Sequence, residues 1–597
     1  MSSSIQSPLT QSVQSTLQNF EPLEPTVNIT TDTNDSYGFL PFPWNAYAQA
    51  ALLQENKVIG LHYGLFFEKT TSYSQAQQSA IALLLNKLPV DPCHILLIDQ
   101  NFDVLSSQII EQGHTLHKIS DLNINSNSKN IPLDLAELKE DLDVILRHES
   151  ISHSDPLAIF NQALDLLTPS GSMIVLDEFV FKPSQTEEQK LPLLNDFIAL
   201  GERLGFELIE QQDLSELAAP TLDCRLAAIS THRENLLEKL NLTPEQLTQL
   251  KEWNRIKRHH FAASYYGYAL LHFKKTVMPK WRIHFLRNEH RPQMQDLFSR
   301  IFQQEMPNAL WQWKYATENS CAISAWRDDK LVGHYGGIGR SILFFNKPEN
   351  AVQIGDIMVE SREHRSLIRK GPFFLMASTF LERYIGYGKH YLIGFGFPNI
   401  RSMKIAEKLG FYGEVGEMVE LSWQPQYRSP LVKTNLKPID RATKSNIKAV
   451  NQCWQKMASN MQTSIIGVRD WNYVLKRYLN HPTQSYQIIL VKNRLFPSPR
   501  GVLILRYDNE ECEIIDIIAP LAEIPLLITQ ARRLAALSNS SRLFCRITAN
   551  FVSCFEHTDA NEQLMPIKIP TNIWSDGPAA ETLKNRWWLM GGDMDFR

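Results

Sequence analysis

The segment GDIMVESREHRSLIRKGP, residues 355–372, gathers most of the groups in this chain that could do chemistry. Asp356, Glu360 and His364 are titratable and could accept a proton. Arg365, Arg369 and Lys370 follow, three cations suited to a phosphate or another anion. Gly371 then allows close backbone approach, and Pro372 suits the first position of a helix. A helix starting there turns free N–H groups and the positive end of its dipole toward the same anion. Asp356 lies between a glycine and the apolar Ile-Met-Val, so it is expected to be partly buried, with a pKa raised by burial. The bland readings are strand-end carboxylates paired with arginine and a solvated histidine. Further on, the apolar run Tyr391–Phe397 stops at Pro398-Asn399, where Asn399 can cap a helix, as it could in any α/β protein.

Such groups need a sheet to hold them. The 597 residues have room for three or four domains. Apolar residues are 43% and charged residues 21%, the balance of globular protein rather than of disorder. A net charge of −4 gives no electrostatic case for nucleic acid. The 7 cysteines include no C-x-x-C pair, so no metal is expected, and they fit a reducing cytoplasm. No apolar run reaches the ~18–20 residues of a membrane span. Residues 1–36, rich in Ser, Thr, Gln and Asn, read as a disordered tail.

Three blocks follow. Residues 37–275 alternate strand-like runs such as HILLID and LDVILRH with helical ones, which implies a mostly parallel, doubly wound sheet. Residues 276–428 run from strand WRIHFLR to helix IRSMKIAEKLGF. Residues 429–597 repeat that order more weakly, as in a duplicated fold.

The middle block resembles the GNAT family of acyl-coenzyme A-dependent N-acyltransferases. That family's helix often reads Asn-x-x-Ala-x-x-Leu-Tyr-x-Lys-x-Gly-Phe. Asn399, Lys408, Gly410 and Phe411 fall at the matching spacings, with Ser402 for the Ala and Ile405 for the Leu. The resemblance implies acetyl-CoA or another acyl-CoA, its pantetheine arm lying between two splayed strands. QIGDIMVE, with Met358 and Val359 near its end, would be one of them, and Asn399 would order the splay. Arg365, Arg369, Lys370, Gly371 and Pro372 would hold the pyrophosphate. Asp356, Glu360 or His364 would be the base for an amine that attacks the thioester directly. The resemblance departs at two places. The loop is lengthened, with Phe373 at its second small position, and Ala406 replaces the Tyr that many members use as general acid. His334-Tyr335 either faces substrate or is a core pair. The implied partner is an amine-bearing acceptor, in a site shaped by the flanking domains.

The first block resembles class I S-adenosylmethionine (SAM)-dependent methyltransferases of the cyclopropane-fatty-acid-synthase type, through GLHYGLFFEKTTSYSQAQQSA and the LDVILRHE strand with its helix and Pro-x-Gly turn. SAM is the cofactor this implies, yet Asp99, Gln100 and Asn101 stand where the family has a Gly-x-Gly loop. A pseudo-methyltransferase scaffold is the expectation, and Asp121 is either a ribose-binding acid or a loop acid. His148, Glu149 and His153 are read as ordinary loop polarity, and RIKRHH (255–260) as a solvated helix face. The third block resembles a second GNAT-like domain without a cofactor loop. Asp593 and Asp595 are a solvated tail or a contact capping that domain. The fold class expected is multidomain α/β, a Rossmann-like methyltransferase-type domain followed by tandem GNAT-like domains. Two alternative functions remain: a bifunctional methyl- and acyltransferase, and a non-catalytic CoA-sensing or assembly platform.

Overall fold

The computed structural model describes residues 40–594, apart from 100–102, 121–140, 153, 184–190, 277, 318, 361, 364–370, 428, 431–432 and 496–497. The described residues form two compact units, 40–183 with 191–279, and 280–594. The expected tail, 1–36, lies outside them.

Unit 1 is built on strands β1 His94–Asp99, β2 Thr115–Ser120, β3 Leu142–His148, β4 Leu167–Val180, β5 Phe206–Asp213 and β6 Tyr266–Lys275. Their order is β2-β1-β3-β4-β6-β5. The pairs among β1 to β4 are parallel, and β6 runs antiparallel between β4 and β5. Ile95, Leu96 and Leu97 are fully buried, as a central strand covered on both faces requires. Helix Pro156–Leu166 starts where Asp155 accepts from Leu157 N at 2.9 Å with proline in the first turn. This is the doubly wound, Rossmann-like sheet expected of a methyltransferase-type domain.

Unit 2 carries two seven-stranded sheets. The first begins with β7 Arg282–Phe285, β8 Ser320–Arg327, β9 Lys330–Phe344, β10 Lys347–Val359 and β11 Ile393–Phe395. The chain then makes β12 Tyr412–Trp423, β13 Thr434–Pro438, β14 Ile465–Gly467, β15 Gln487–Asn493, β16 Pro499–Asp508, β17 Glu511–Ile518, β18 Arg542–Thr548, β19 Asn561–Asn572 and β20 Trp587–Trp588. These strands do not stay with their own block. β12 leaves the first sheet and pairs with β18 and β19 in the second, while β14 and β20 extend the first sheet from β9. Val419, Leu421 and Trp423 of β12 are therefore buried in the same core as Leu490 and Leu503.

β9 and β10 are joined by Phe345-Asn346, both with positive φ, the backbone a two-residue hairpin requires. β10 pairs with β11 in parallel over three rows, Ala351–Ile393, Val352–Gly394 and Gln353–Phe395. It then runs on with no strand partner on that edge among the described residues. Its pairing with β9 slips between Gly355 and Met358, so Asp356 and Ile357 form a bulge, with Asp356 at φ 47°.

Candidate active site

Asp356 lies about 10 Å along β10 from the last row shared with β11, at ~3.3 Å per residue. Helix Asn308–Tyr315 delivers two side chains to it. Lys314 Nζ donates to its carboxylate oxygens at 3.0 and 3.2 Å, and the Tyr315 hydroxyl donates at 2.6 Å. From β9, His334 Nδ1 donates to the Asp356 carbonyl at 2.7 Å. The expectation of a raised pKa is corrected. Burial does push Asp356 up, but the Lys314 ammonium, the Tyr315 hydroxyl and His334 outweigh it and hold its pKa below the ordinary value. His334 is fully buried, and its Nε2 has no hydrogen-bond partner among the described residues. Burial holds its pKa low, so it is neutral near pH 7 and Nε2 keeps a lone pair. His334 is thus only half of the core pair considered from sequence. Its neighbour Tyr335 shares a short hydroxyl contact with Tyr412, and burial raises both phenols so that they stay protonated.

Glu360 is tied to Arg300 at 2.6 Å and Lys330 at 2.9 Å, as in the bland reading of a strand-end carboxylate. Met358 is buried among Met294, Leu297 and Trp311, and Val359 is buried too. Both pair with β9 and have no strand partner on the β11 side among the described residues. His364, Arg365, Arg369 and Lys370 lie outside the described residues. Glu363 anchors the chain just before them through Trp281 at 3.1 Å and Arg327 at 2.6 Å. Gly371 caps helix Pro372–Tyr384, whose first turn holds no acid. Its φ of −80° is open to any residue, so the glycine contributes its missing Cβ rather than a special backbone. Phe373 packs against Tyr335 and Phe411. Asn399 caps helix Ile400–Lys408 by accepting from Ser402 N at 2.9 Å. Gly396, just past the splay, is so close to β10 that a Cβ would lie 3.0 Å from the Ile354 carbonyl oxygen.

Lys314 and Tyr315 went unnoticed in the sequence. They come from a helix forty residues before Asp356, and no local pattern links them to it.

The second sheet holds a matching parallel pair. β17 and β18 pair from Glu511–Arg542 to Ile514–Cys545 and then part. Here the gap is filled by the chain itself. Met590 bridges Ile547, Leu589 O accepts from Thr548 N, and Gly591 and Gly592 lie against Ile515. Asp593 is buried between Arg469 and Arg340, at 2.5 and 3.0 Å, and Arg469 also holds Asp516 at 3.0 Å. Of the two sequence readings for Asp593, this is the capping contact; Asp595 lies outside the described residues.

In unit 1, Asp99 at the end of β1 is buried and lies 3.7 Å from Lys118 of β2. Gln100, Asn101, Asp121 and His153 lie outside the described residues. His148 is buried and Glu149 half-buried, and this corrects the reading of loop polarity. The Glu149 carboxylate accepts from Tyr63 N and from the Tyr268 hydroxyl at 2.9 Å, and burial pushes its pKa to about 7. The RIKRHH run is not uniformly solvated, since Lys257 binds the buried Glu178 at 2.6 Å. Among the described residues no three His, Cys, Asp or Glu are grouped to hold a metal, and no helix is long and apolar enough to cross a membrane.

Comparison with known proteins adds the family. Residues 282–414 match the family model of the acetyltransferase (GNAT) domain. No curated protein matches the chain. Among solved structures, a probable N-acyltransferase from Enterococcus faecalis V583 is 14% identical, over 51% of this chain and 74% of that one, with a TM-score of 0.38. A GCN5-related N-acetyltransferase from Kribbella flavida is 12% identical, over 49% and 72%, with a TM-score of 0.36. A cyclopropane synthase from Mycobacterium tuberculosis is 15% identical, over 41% and 100%, with a TM-score of 0.30. Likenesses this distant carry no functional argument. The assignment rests on the family match, which covers the splayed strands, the Asp356 cluster and the Asn399 helix: residues 282–414 are a GNAT domain, and the chain carries a GNAT-type acyltransferase.

Proposed function

We propose that the GNAT domain moves an acyl group, most simply acetyl, from an acyl-CoA to an amine by direct attack. One observation carries this reading: β10 loses its β11 partner after Gln353 yet runs on to Val359. An extended arm with amide groups can lie along such an edge as an added strand would, and Met358 and Val359 supply the backbone. Gly371 and Pro372, with Arg365, Arg369 and Lys370, would hold the phosphates. Asn399 would fix the far side of the opening. The cofactor, when bound, supplies the thioester.

Asp356 is held as a carboxylate by Lys314, and Glu360 is neutralised by Arg300 and Lys330. We therefore assign the amine's proton to His334 Nε2 rather than to Asp356 or Glu360. His334 pairs across from Met358, in a row that passes the opening, and the Asp356 carbonyl fixes its tautomer. Tyr412, whose neighbour Phe411 donates to the Ala406 carbonyl, is our candidate to protonate the leaving thiolate in place of the missing Tyr. The acceptor is read as larger than a free metabolite, with the flanking regions shaping its site. All 7 cysteines are free, in keeping with a reducing cytoplasm.

We assign no methyl transfer to unit 1, because Asp99, Gln100 and Asn101 stand in the sequence where a glycine loop would leave bare backbone. Thermal unfolding with acetyl-CoA, and separately with S-adenosylmethionine, tests both statements. Acetyl-CoA at ~100 times its dissociation constant should stabilise by ~2.7 kcal/mol. Gly371→Glu should remove that shift. A shift with the methyl donor alone would reverse the assignment.

A further inference from the structure

Unit 1 contains a groove of about 260 Å³ between helices Trp44–Glu55 and Pro220–Thr231, with the 70–73 turn at one end. Its notable group is Arg225, only 6% exposed. The guanidinium stacks on Tyr47 and Tyr63, 4.8 and 5.1 Å from the ring centroids. Nη2 donates to the Leu61 carbonyl and to the Tyr73 hydroxyl. Among the described residues Nε is buried without a partner and Nη1 makes no hydrogen bond. Among the described residues no carboxylate lies within ion-pair distance of it. The Glu149 carboxylate acts on it only from beyond ion-pair distance, so a ligand carboxylate can meet the hydrogens of Nη1.

The remaining walls narrow the ligand. Ala50, Ala51, Ala227 and Phe66 present apolar surface. Glu55 also lines the groove, but its carboxylate is taken up by Tyr73 N and Ser74 N, both at 2.8 Å. That fixed negative charge tolerates a monoanion better than a phosphate dianion. We propose that this groove binds a small monocarboxylate with a short apolar body, its carboxylate seated on Arg225.

The test is calorimetric titration of the full chain with hexanoate, whose size suits the groove, and with hexanamide and inorganic phosphate. Hexanoate should bind saturably, and both others at least about tenfold more weakly, the difference a charged hydrogen-bonded anchor makes. Arg225→Gln should lose the preference for hexanoate over hexanamide. Ala227→Trp, at the exposed rim, should block hexanoate while unfolding remains cooperative, and it decides the matter if Arg225→Gln does not fold. Equal binding of hexanamide, tighter binding of phosphate, unchanged binding in Ala227→Trp, or no saturable binding at millimolar hexanoate would each overturn the proposal.

Discussion

The two halves of unit 2 each contain a parallel strand pair that parts after a few rows. Past Gln353–Phe395, β10 meets no strand or bridge on that edge among the described residues. Past Ile514–Cys545, β17 and β18 are joined by residues 589–593, and a buried carboxylate lies between two guanidiniums. The contrast shows what such an opening demands. Parted strands leave backbone groups unpaired, and either a ligand or the chain must satisfy them. In the second half the chain does so, and the loop that would grip a phosphate is absent from the sequence: Leu-Ala-Glu follows Ala519-Pro520.

The largest test of this contrast is Asp593→Ala. It leaves Arg469 with Asp516 alone and takes the carboxylate from Arg340, and should cost about 3–5 kcal/mol in denaturant unfolding. Acetyl-CoA stoichiometry should stay at one per chain; two would mean the plug conceals a second working site. Next, His334→Gln should lower kcat/KM by about a hundredfold or more, as loss of a general base does. Because the folded pKa of His334 lies below its ordinary 6.5, the base form persists there, and the acid limb of the wild-type profile should fall below pH 6.5. The same shift makes the stability contribution complete above pH 6.5 and lost as pH falls through the folded pKa. Gly396→Val would press a side chain against the Ile354 carbonyl and should cost about 1–3 kcal/mol, weakening acetyl-CoA binding as the opening distorts. Asn399→Ala, which removes the cap that fixes the far side of the opening, should cost about 1 kcal/mol and weaken acetyl-CoA binding less than Gly396→Val does. An equal loss in the last two variants would mean that the opening is not where the cofactor lies.

Features set by a few adjacent residues were legible in the sequence. The Asn399 cap, the Gly371-Pro372 helix start and the alternation of unit 1 follow from local capping and periodicity. Long-range pairing was not legible. Burial of Asp356 could be read from its apolar neighbours, but the sign of its pKa depended on Lys314, which only the fold brings near. Glu149 and His148 looked like loop residues because polar type outweighed their place at the end of a central strand. The exchange of β12 against β14 and β20 left no trace, because an apolar strand does not name its partner. β19 was missed because NEQLMPIKIPTN is polar and carries two prolines, as an outermost strand can.

That exchange bears on how the protein is made. The edge of β9 is completed by β14, and β14 in turn by Trp587-Trp588. From Phe344 to Trp588 is 588 − 344 = 244 residues. A ribosome adding ~5–20 residues per second takes roughly 12–50 s to cover them. Through that interval the acyltransferase half presents an unfinished apolar edge, a target for chaperones and for other nascent chains. A ribosome that stalls before Trp587, or a protease that cuts away β20, would leave the sheet that carries the acyltransferase site with an open edge.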